Sequence, residues 1–204
     1  MSIALFGGPS VSDLLDAQES RMRETIIQAF EQGHANVADE ALAEGIASKF
    51  TLNPAIINED GVTRSVDEAQ IDPRRWASSY LVDEYTPRTV AGVRIRFYVP
   101  FTGDPQLFRY QPESFTMDFP EAEIQKNELV FIYEGPVAET DRMSDQFRRR
   151  LGTVATNAKR MEASVRQFNG SLKAKALTAI RGRREQLNQV REAGERTGFP
   201  PRER

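Results

Sequence analysis

The most regular pattern in this 204-residue chain is FRRRLGTVATNAKRMEASVRQFNGSL, residues 147 to 172. Its apolar residues alternate in spacing between four and three positions, and nearly everything between them is polar or small; they are Phe147, Leu151, Val154, Ala158, Met161, Val165, Phe168 and Leu172. This heptad stripe predicts a long amphipathic helix. Because the stripe is only about two residues wide, we expect it to pack against a partner helix.

Asn169 and Gly170 leave two arrangements open for this helix. They could end it in the left-handed conformation, so that Ser171 to Glu192 returns as the second arm of a helical hairpin. The heptad phase nevertheless continues unchanged through Gly170 to Leu172, which favours one long helix. A glycine inside a helix costs only about 1 kcal/mol relative to alanine, so both arrangements stay open.

The middle of the chain predicts an antiparallel sheet. Val93 to Pro100 alternates apolar and polar residues, as in a half-buried strand, and a turn at residues 102–105 predicts a hairpin with Gln106 to Tyr110. A further strand is expected at Ser114 to Asp118. The unbroken apolar run within Glu128 to Glu134 is typical of a central strand covered on both faces.

Two helices are predicted before this sheet, from Ser10 to Gln32, with Gly33 as its stop, and from Asn36 to Phe50. The expected fold class is therefore α+β, with N-terminal helices packed on an antiparallel sheet, followed by a long C-terminal helix or helical hairpin. The corresponding segments are residues 1–50 for the N-terminal helices, 51–135 for the β-rich body, 136–195 for the helical arm and 196–204 for a flexible tail.

Charge is distributed unevenly along the chain. Residues 147–204 contain 15 basic and five acidic residues, whereas residues 1–146 contain 12 basic and 25 acidic residues. The basic arm could bind nucleic-acid phosphates, and the residues for such contacts are Arg148, Arg149, Arg150, Lys159, Arg160, Arg183 and Arg184. Arginine-rich faces also keep long helices in solution, and the acidic body is a competing partner for the same charges.

Residues that commonly carry catalysis are scarce. The chain has no cysteine, its single histidine is His34, and no Gly-Lys-Ser or Gly-Lys-Thr follows Gly7 and Gly8. These facts exclude a thiolate nucleophile, a paired-histidine metal site and a phosphate-binding loop. We therefore expect no catalytic residues, no metal and no cofactor.

One carboxylate group invites comparison with metal-dependent nucleases. It consists of Asp118, Glu121, Glu123 and Lys126. The spacing from Glu123 to Lys126 differs from that of the usual nuclease strand, and Pro120 interrupts the segment. A charged loop between two strands is the simpler interpretation.

The N-terminus has neither the basic flank nor the apolar length of a signal peptide, and no segment approaches the roughly 20 apolar residues of a membrane span. We expect a cytoplasmic protein that does not enter a membrane.

Several short motifs of the chain resemble those of a known group of proteins. They are V-P-F-x-G-D-x-x-L-F from Val99, F-N-x-x-L from Phe168, I-x-x-R-R-x-x-L from Ile180, and the closing Thr197-Gly198-Phe199-Pro200. In this order, over roughly residues 75 to 200, the chain resembles a little-characterised module of bacterial proteins found in, or encoded beside, antiviral defence genes. The motifs contain turn and core residues, so the resemblance implies a shared fold. It also implies that catalysis, by a nuclease or Toll/interleukin-receptor effector, belongs to a separate partner.

These observations predict a non-enzymatic accessory, sensor or assembly subunit of a bacterial antiviral defence complex. It would bind a partner protein, or a second copy of itself, through the helical seam formed by Phe147, Leu151, Val154, Met161, Val165, Phe168 and Leu172. The alternatives are a nucleic-acid-binding protein that uses the basic arm and a divergent metal-dependent nuclease.

Overall fold

A computed structural model describes residues 2–75, 88–114 and 118–199. The chain forms two compact units, each built from segments that are distant in sequence. The first unit comprises Met1–Val11 and Asn53–Ser164, and the second comprises Ser12–Leu52 and Val165–Arg204. The α+β class predicted from the sequence is confirmed.

The first unit contains an antiparallel sheet. Its strands are β1 (Ile3–Ala4), β2 (Ile56–Ile57), β3 (Thr63–Ile71), β4 (Val90–Thr102), β5 (Glu121–Gln125) and β6 (Glu128–Gly135). They are ordered β1-β5-β6-β4-β2, and β3 also pairs with β4. The 13-residue strand β4 therefore joins β6 on one side to β2 and β3 on the other.

Alternation along β4 separates the two faces of the sheet. Ile95, Phe97 and Val99 are buried, whereas Arg94 and Arg96 lie on the opposite face and pair with Glu134 of β6 and Asp67 of β3. The predicted strand at Val93 to Pro100 is thus confirmed, with three further residues before it and two after it. The predicted central strand is β6, between β4 and β5, but it is not covered on both faces along its whole length, because Ile132 is 39 % exposed.

The helical layer on the buried face is the first half of a 57-residue helix, α3 (Thr140–Arg196). The Phe147 ring stacks on the Phe97 ring of β4, with centroids 4.0 Å apart and planes 3° apart, and its edge meets Phe131 of β6 at 5.6 Å. The sequence predicts the N-terminal helices in this layer, but their apolar side chains pack in the cluster of the second unit.

The second unit is helical. It contains α1 (Val11–Glu31) from Ser12 onward, α2 (Asp39–Phe50) and the second half of α3. Gly33, at φ 89°, stops α1 in the left-handed conformation, as predicted. The three helices share one apolar cluster of buried side chains, which consists of Met22, Ile26, Phe30, Ala43, Ile46, Ala47, Phe168, Leu172, Ala176 and Ile180.

The helix α3 is continuous through Asn169 and Gly170, so the hairpin alternative is wrong. The Asn169 side chain accepts a hydrogen bond from the Leu52 amide at 3.0 Å and donates one to the Leu52 carbonyl at 2.8 Å. Its role is to satisfy the backbone that follows α2. At Gly170 an added Cβ would meet no atom within 4 Å, so nothing in the packing requires glycine there.

Of two further strands predicted from the sequence, one is wrong and the other is not tested. The segment at Gln106 to Tyr110 is not a strand, because residues Pro105–Arg109 form a 3₁₀ helix that buries Leu107 and Phe108. Asp104 caps this helix by accepting a hydrogen bond from the Gln106 amide at 2.8 Å, and Pro105 supplies a helical φ. The strand expected at Ser114 to Asp118 lies largely outside the described residues.

Replacing Asn169 with alanine should destabilise the protein by about 1 to 3 kcal/mol, because it leaves both backbone groups of the partly buried Leu52 without their partner. The matched control is Gly170→Ala, which should be neutral or stabilising by up to about 1 kcal/mol. Urea unfolding followed by circular dichroism measures both. An unchanged midpoint for Asn169→Ala would contradict the assignment.

Candidate functional site

The seam proposed from the sequence as a partner surface is buried within the chain. Six of its residues are at most 5 % exposed, and Leu151 is half-buried; the six are Phe147, Val154, Met161, Val165, Phe168 and Leu172. In the first unit the seam contacts the sheet, and in the second it belongs to the cluster shared with α1 and α2. The seam is therefore the core-facing side of α3, which corrects the interpretation as an exposed interface.

Four of the eight basic residues in the second half of α3 are paired with acidic residues of α1 and α2. Residues 12–52 contain eight acidic and three basic residues, whereas residues 165–204 contain ten basic and four acidic residues. The ion pairs between the two segments are Lys173 with Glu44, Lys175 with Glu19 (2.5 Å), Arg181 with Glu40 (3.1 Å), and Arg184 with Asp39 (2.5 Å). The two segments of opposite charge are thus joined by ion pairs within this unit.

Among these basic residues, Arg184 makes the most varied contacts with the rest of the unit. Besides Asp39, it donates a hydrogen bond to the Val37 carbonyl, and its guanidinium carbon lies 5.5 Å from the centre of the Phe30 ring. Arg183 is half-buried and donates a hydrogen bond to Gln186 at 2.9 Å. Arg184 was expected to contact nucleic acid, but the structure gives it a packing role that joins α3 to α2.

Among the described residues, the basic residues in the first half of α3 form fewer ion pairs with other elements than those in the second half. Arg148 pairs with Asp145 at 2.9 Å, but both side chains are more than half exposed. Arg160 donates a hydrogen bond to the Ser114 carbonyl at 2.9 Å. Arg149 and Lys159 are exposed and have no carboxylate partner among the described residues.

Arg150 lies beside a buried phenol. Its guanidinium carbon is 5.6 Å from the centre of the Tyr133 ring, and burial raises the pKa of the Tyr133 hydroxyl above its usual value. The Tyr133 side chain is on the sheet face that α3 covers, with its ring edge-on to Phe97 at 5.9 Å. This pair is a cation–π contact that leaves the Arg150 side chain accessible to solvent.

The carboxylates considered for a nuclease site do not form a metal cage. Asp118 is exposed, Glu121 and Glu123 lie on β5, and Lys126 is in the tight turn to β6 with a φ of 51°. No group of three or more histidine, cysteine, aspartate and glutamate residues is placed to hold a metal ion anywhere in the described ranges. His34 Nδ1 is 3.1 Å from the Ala29 carbonyl oxygen, just beyond the end of α1.

The C-terminal end of α3 is an exposed helix. Every residue from Glu185 to Arg196 is exposed, including Leu187 at 37 % and Val190 at 65 %. Within the part of the chain that the structure describes, Arg184 is the last residue of α3 that pairs with α1 or α2. Sequence analysis did not single out this segment, although the thinning of apolar residues after Ile180 indicates where the core ends.

The comparisons with known proteins find no match to a family model, a curated protein or a solved structure. None of the described helices combines the length and apolar character needed to cross a membrane.

The ion pairs of Glu19 predict a pH dependence of stability. Hydrogen bonds from Lys175 and Arg23 lower the pKa of Glu19. A carboxylate with a lowered folded-state pKa contributes stability above its unfolded pKa and loses it as the pH falls through the folded value. Glu19→Gln should therefore reduce the free energy of unfolding at pH 7 by less than about 1 kcal/mol, because exposed pairs contribute little.

This difference from the wild type should shrink between pH 7 and the lowest pH at which the protein stays folded, because Glu19 becomes protonated only below the usual carboxyl pKa, about 4.3. Glu24→Gln, at an exposed position on the same helix, is the control and should differ from the wild type equally at both pH values. Thermal unfolding at several pH values measures the effect. A Glu19→Gln deficit that persists at low pH would refute the assignment.

Proposed function

We propose that this protein is a non-enzymatic assembly subunit that binds a partner protein through the exposed end of α3, Glu185 to Arg196. The observation that carries the proposal is the unbroken exposure of this segment, in contrast to the buried stripe before it. An isolated helix of this length would be marginal in water, but here it continues a folded helix and so needs no nucleation.

The segment has the features of a recognition helix. Leu187 and Val190 are three positions apart and follow Ile180 by seven and ten positions, so they lie on the same side of α3 as the buried stripe. The flanking charges are of both signs, with Glu185, Glu192 and Glu195 beside Arg191 and Arg196. A partner helix with an apolar stripe and mixed charges at its edges would complement it.

From the resemblance to modules encoded near antiviral defence genes, we propose that the subunit belongs to a cytoplasmic bacterial complex. In such a complex, a separate effector would perform the catalysis. That setting stays a prediction, as does the absence of enzymatic activity. The partner site differs from the one expected from the sequence, because Phe147 to Leu172 is occupied by the chain's own core.

The test is a pair of double variants that add two negative charges to opposite sides of the exposed segment. Leu187→Asp with Val190→Asp changes the apolar side, and Asn188→Asp with Gln189→Asp is the matched control. Both should leave the melting temperature within about 2 °C of the wild type, because all four residues are exposed. Quantitative affinity purification from the native source, and sedimentation equilibrium of the pure protein, measure the partner and self-association.

The proposal predicts that the first variant loses a specific partner, or the self-associated species, at least tenfold, and that the control retains it. Equal recovery in both variants, with the pure protein monomeric throughout, would contradict the proposal.

A second candidate function, nucleic-acid binding, is supported by Arg149 and Lys159, which have no carboxylate partner within the described residues, and by the solvent-accessible Arg150. With about three phosphate contacts, the logarithm of the binding constant for duplex DNA should fall with the logarithm of salt with a slope near −3. Arg149→Ala with Arg150→Ala should reduce that slope by about two, whereas Arg191→Ala with Arg196→Ala should leave it unchanged. A fluorescence-anisotropy titration that detects no binding in low salt would eliminate this candidate.

A further inference from the structure

A cavity in the first unit lies between the flank of α3 and the strand β3. Its volume is about 410 Å³, within the range of roughly 300 to 1,000 Å³ that is usual for small-molecule sites. It is formed entirely by described residues of one unit, and it shares no residue with the exposed end of α3.

The sheet register explains why the cavity forms there. Arg64 of β3 is directly paired with Phe97 of β4, so both side chains leave the sheet on the face that α3 covers. The helix does not extend over β3, since Val66, two residues further along the same face, is 54 % exposed. The space between the helix flank and the edge of the sheet is therefore open to solvent.

The cavity lining is cationic. It includes Arg64 and Arg148 but no aspartate or glutamate. The Arg64 guanidinium makes no ion pair or hydrogen bond with any other described residue, and the pair between Arg148 and Asp145 is 74 % and 59 % exposed. An exposed pair of this kind contributes little stability, so Arg148 can turn to another anion at small cost.

The remaining lining supplies a hydroxyl group and an apolar wall. The hydroxyl group is that of Ser144, which lies one helical turn before Arg148. The stacked rings of Phe97 and Phe147 form the inner wall. Guanidinium groups bind carboxylate and phosphate oxygens in a bidentate manner, and an aromatic wall favours a flat apolar body.

We propose that this cavity binds a small organic anion in which a carboxylate or phosphate group is attached to an apolar ring system. Arg64 and Arg148 hold the anionic group, Ser144 donates a hydrogen bond to it, and the ring body lies against Phe97 and Phe147. A simple inorganic anion would use only half of the site, and a neutral ring only the other half.

The test uses four probes in isothermal titration calorimetry with the full chain. 1-Naphthyl phosphate and 2-naphthoate carry both features, inorganic phosphate carries the charge alone, and 2-naphthol carries the ring alone. At least one of the two naphthyl anions should bind with 1:1 stoichiometry and at least tenfold more tightly than inorganic phosphate or 2-naphthol. A preference between the naphthyl phosphate and the naphthoate identifies the natural anionic group.

Variants then locate the binding. Arg64→Gln and Arg148→Gln should each weaken the tighter naphthyl anion at least tenfold, while Arg149→Gln, the adjacent exposed arginine, should change it less than twofold. All three positions are exposed, so thermal unfolding should show unchanged stability and separate loss of binding from loss of fold. The proposal is overturned if neither naphthyl anion binds, or if binding persists unchanged in Arg64→Gln and Arg148→Gln.

Discussion

The structure depends on one apolar stripe along α3, whose first part is buried in the core of the first unit and whose second part is buried in the core of the second. In the first unit the stripe packs on the sheet, where Phe147 stacks on Phe97, and in the second unit Phe168, Leu172 and Ile180 join the cluster with α1 and α2. In the first unit α3 follows the sheet directly in sequence, whereas in the second unit it packs with helices that lie more than 100 residues earlier. Because burial of apolar area is the main favourable term in folding, the stripe of α3 contributes to the stability of both cores.

Ion pairs also join segments of the chain that are distant in sequence. The acidic helices near the N-terminus and the basic second half of α3 are assembled in one unit, where Glu19, Asp39, Glu40 and Glu44 meet lysine and arginine side chains. Half of the basic residues in the second half of α3 thus pair with acidic residues of the chain itself. Among the described residues of the first unit, Arg149 and Lys159 of α3 are exposed without a carboxylate partner, and the end of α3 after Arg184 is exposed as well.

Sequence patterns predicted the elements better than their packing. Alternation located β4, an apolar run located β6, and Gly33 located the end of α1, because those signals are local. A heptad stripe has the same spacing whether a partner helix or the chain's own sheet covers it, so its covering could not be inferred. The role of Asn169 depends on Leu52, 117 residues earlier, and the cavity at Arg64 depends on strand register; neither leaves a local signal.

The central claim is that the stripe of α3 is core within a single chain, and that its cover ends near Arg184. Amide hydrogen exchange along α3, followed by mass spectrometry on the isolated protein at several concentrations, tests it most directly. We expect strong protection of the amides of residues 147–180 that does not depend on concentration, and fast exchange for residues 185–196. Fast exchange across residues 147–172 in the isolated chain, or protection that increases with concentration, would contradict it.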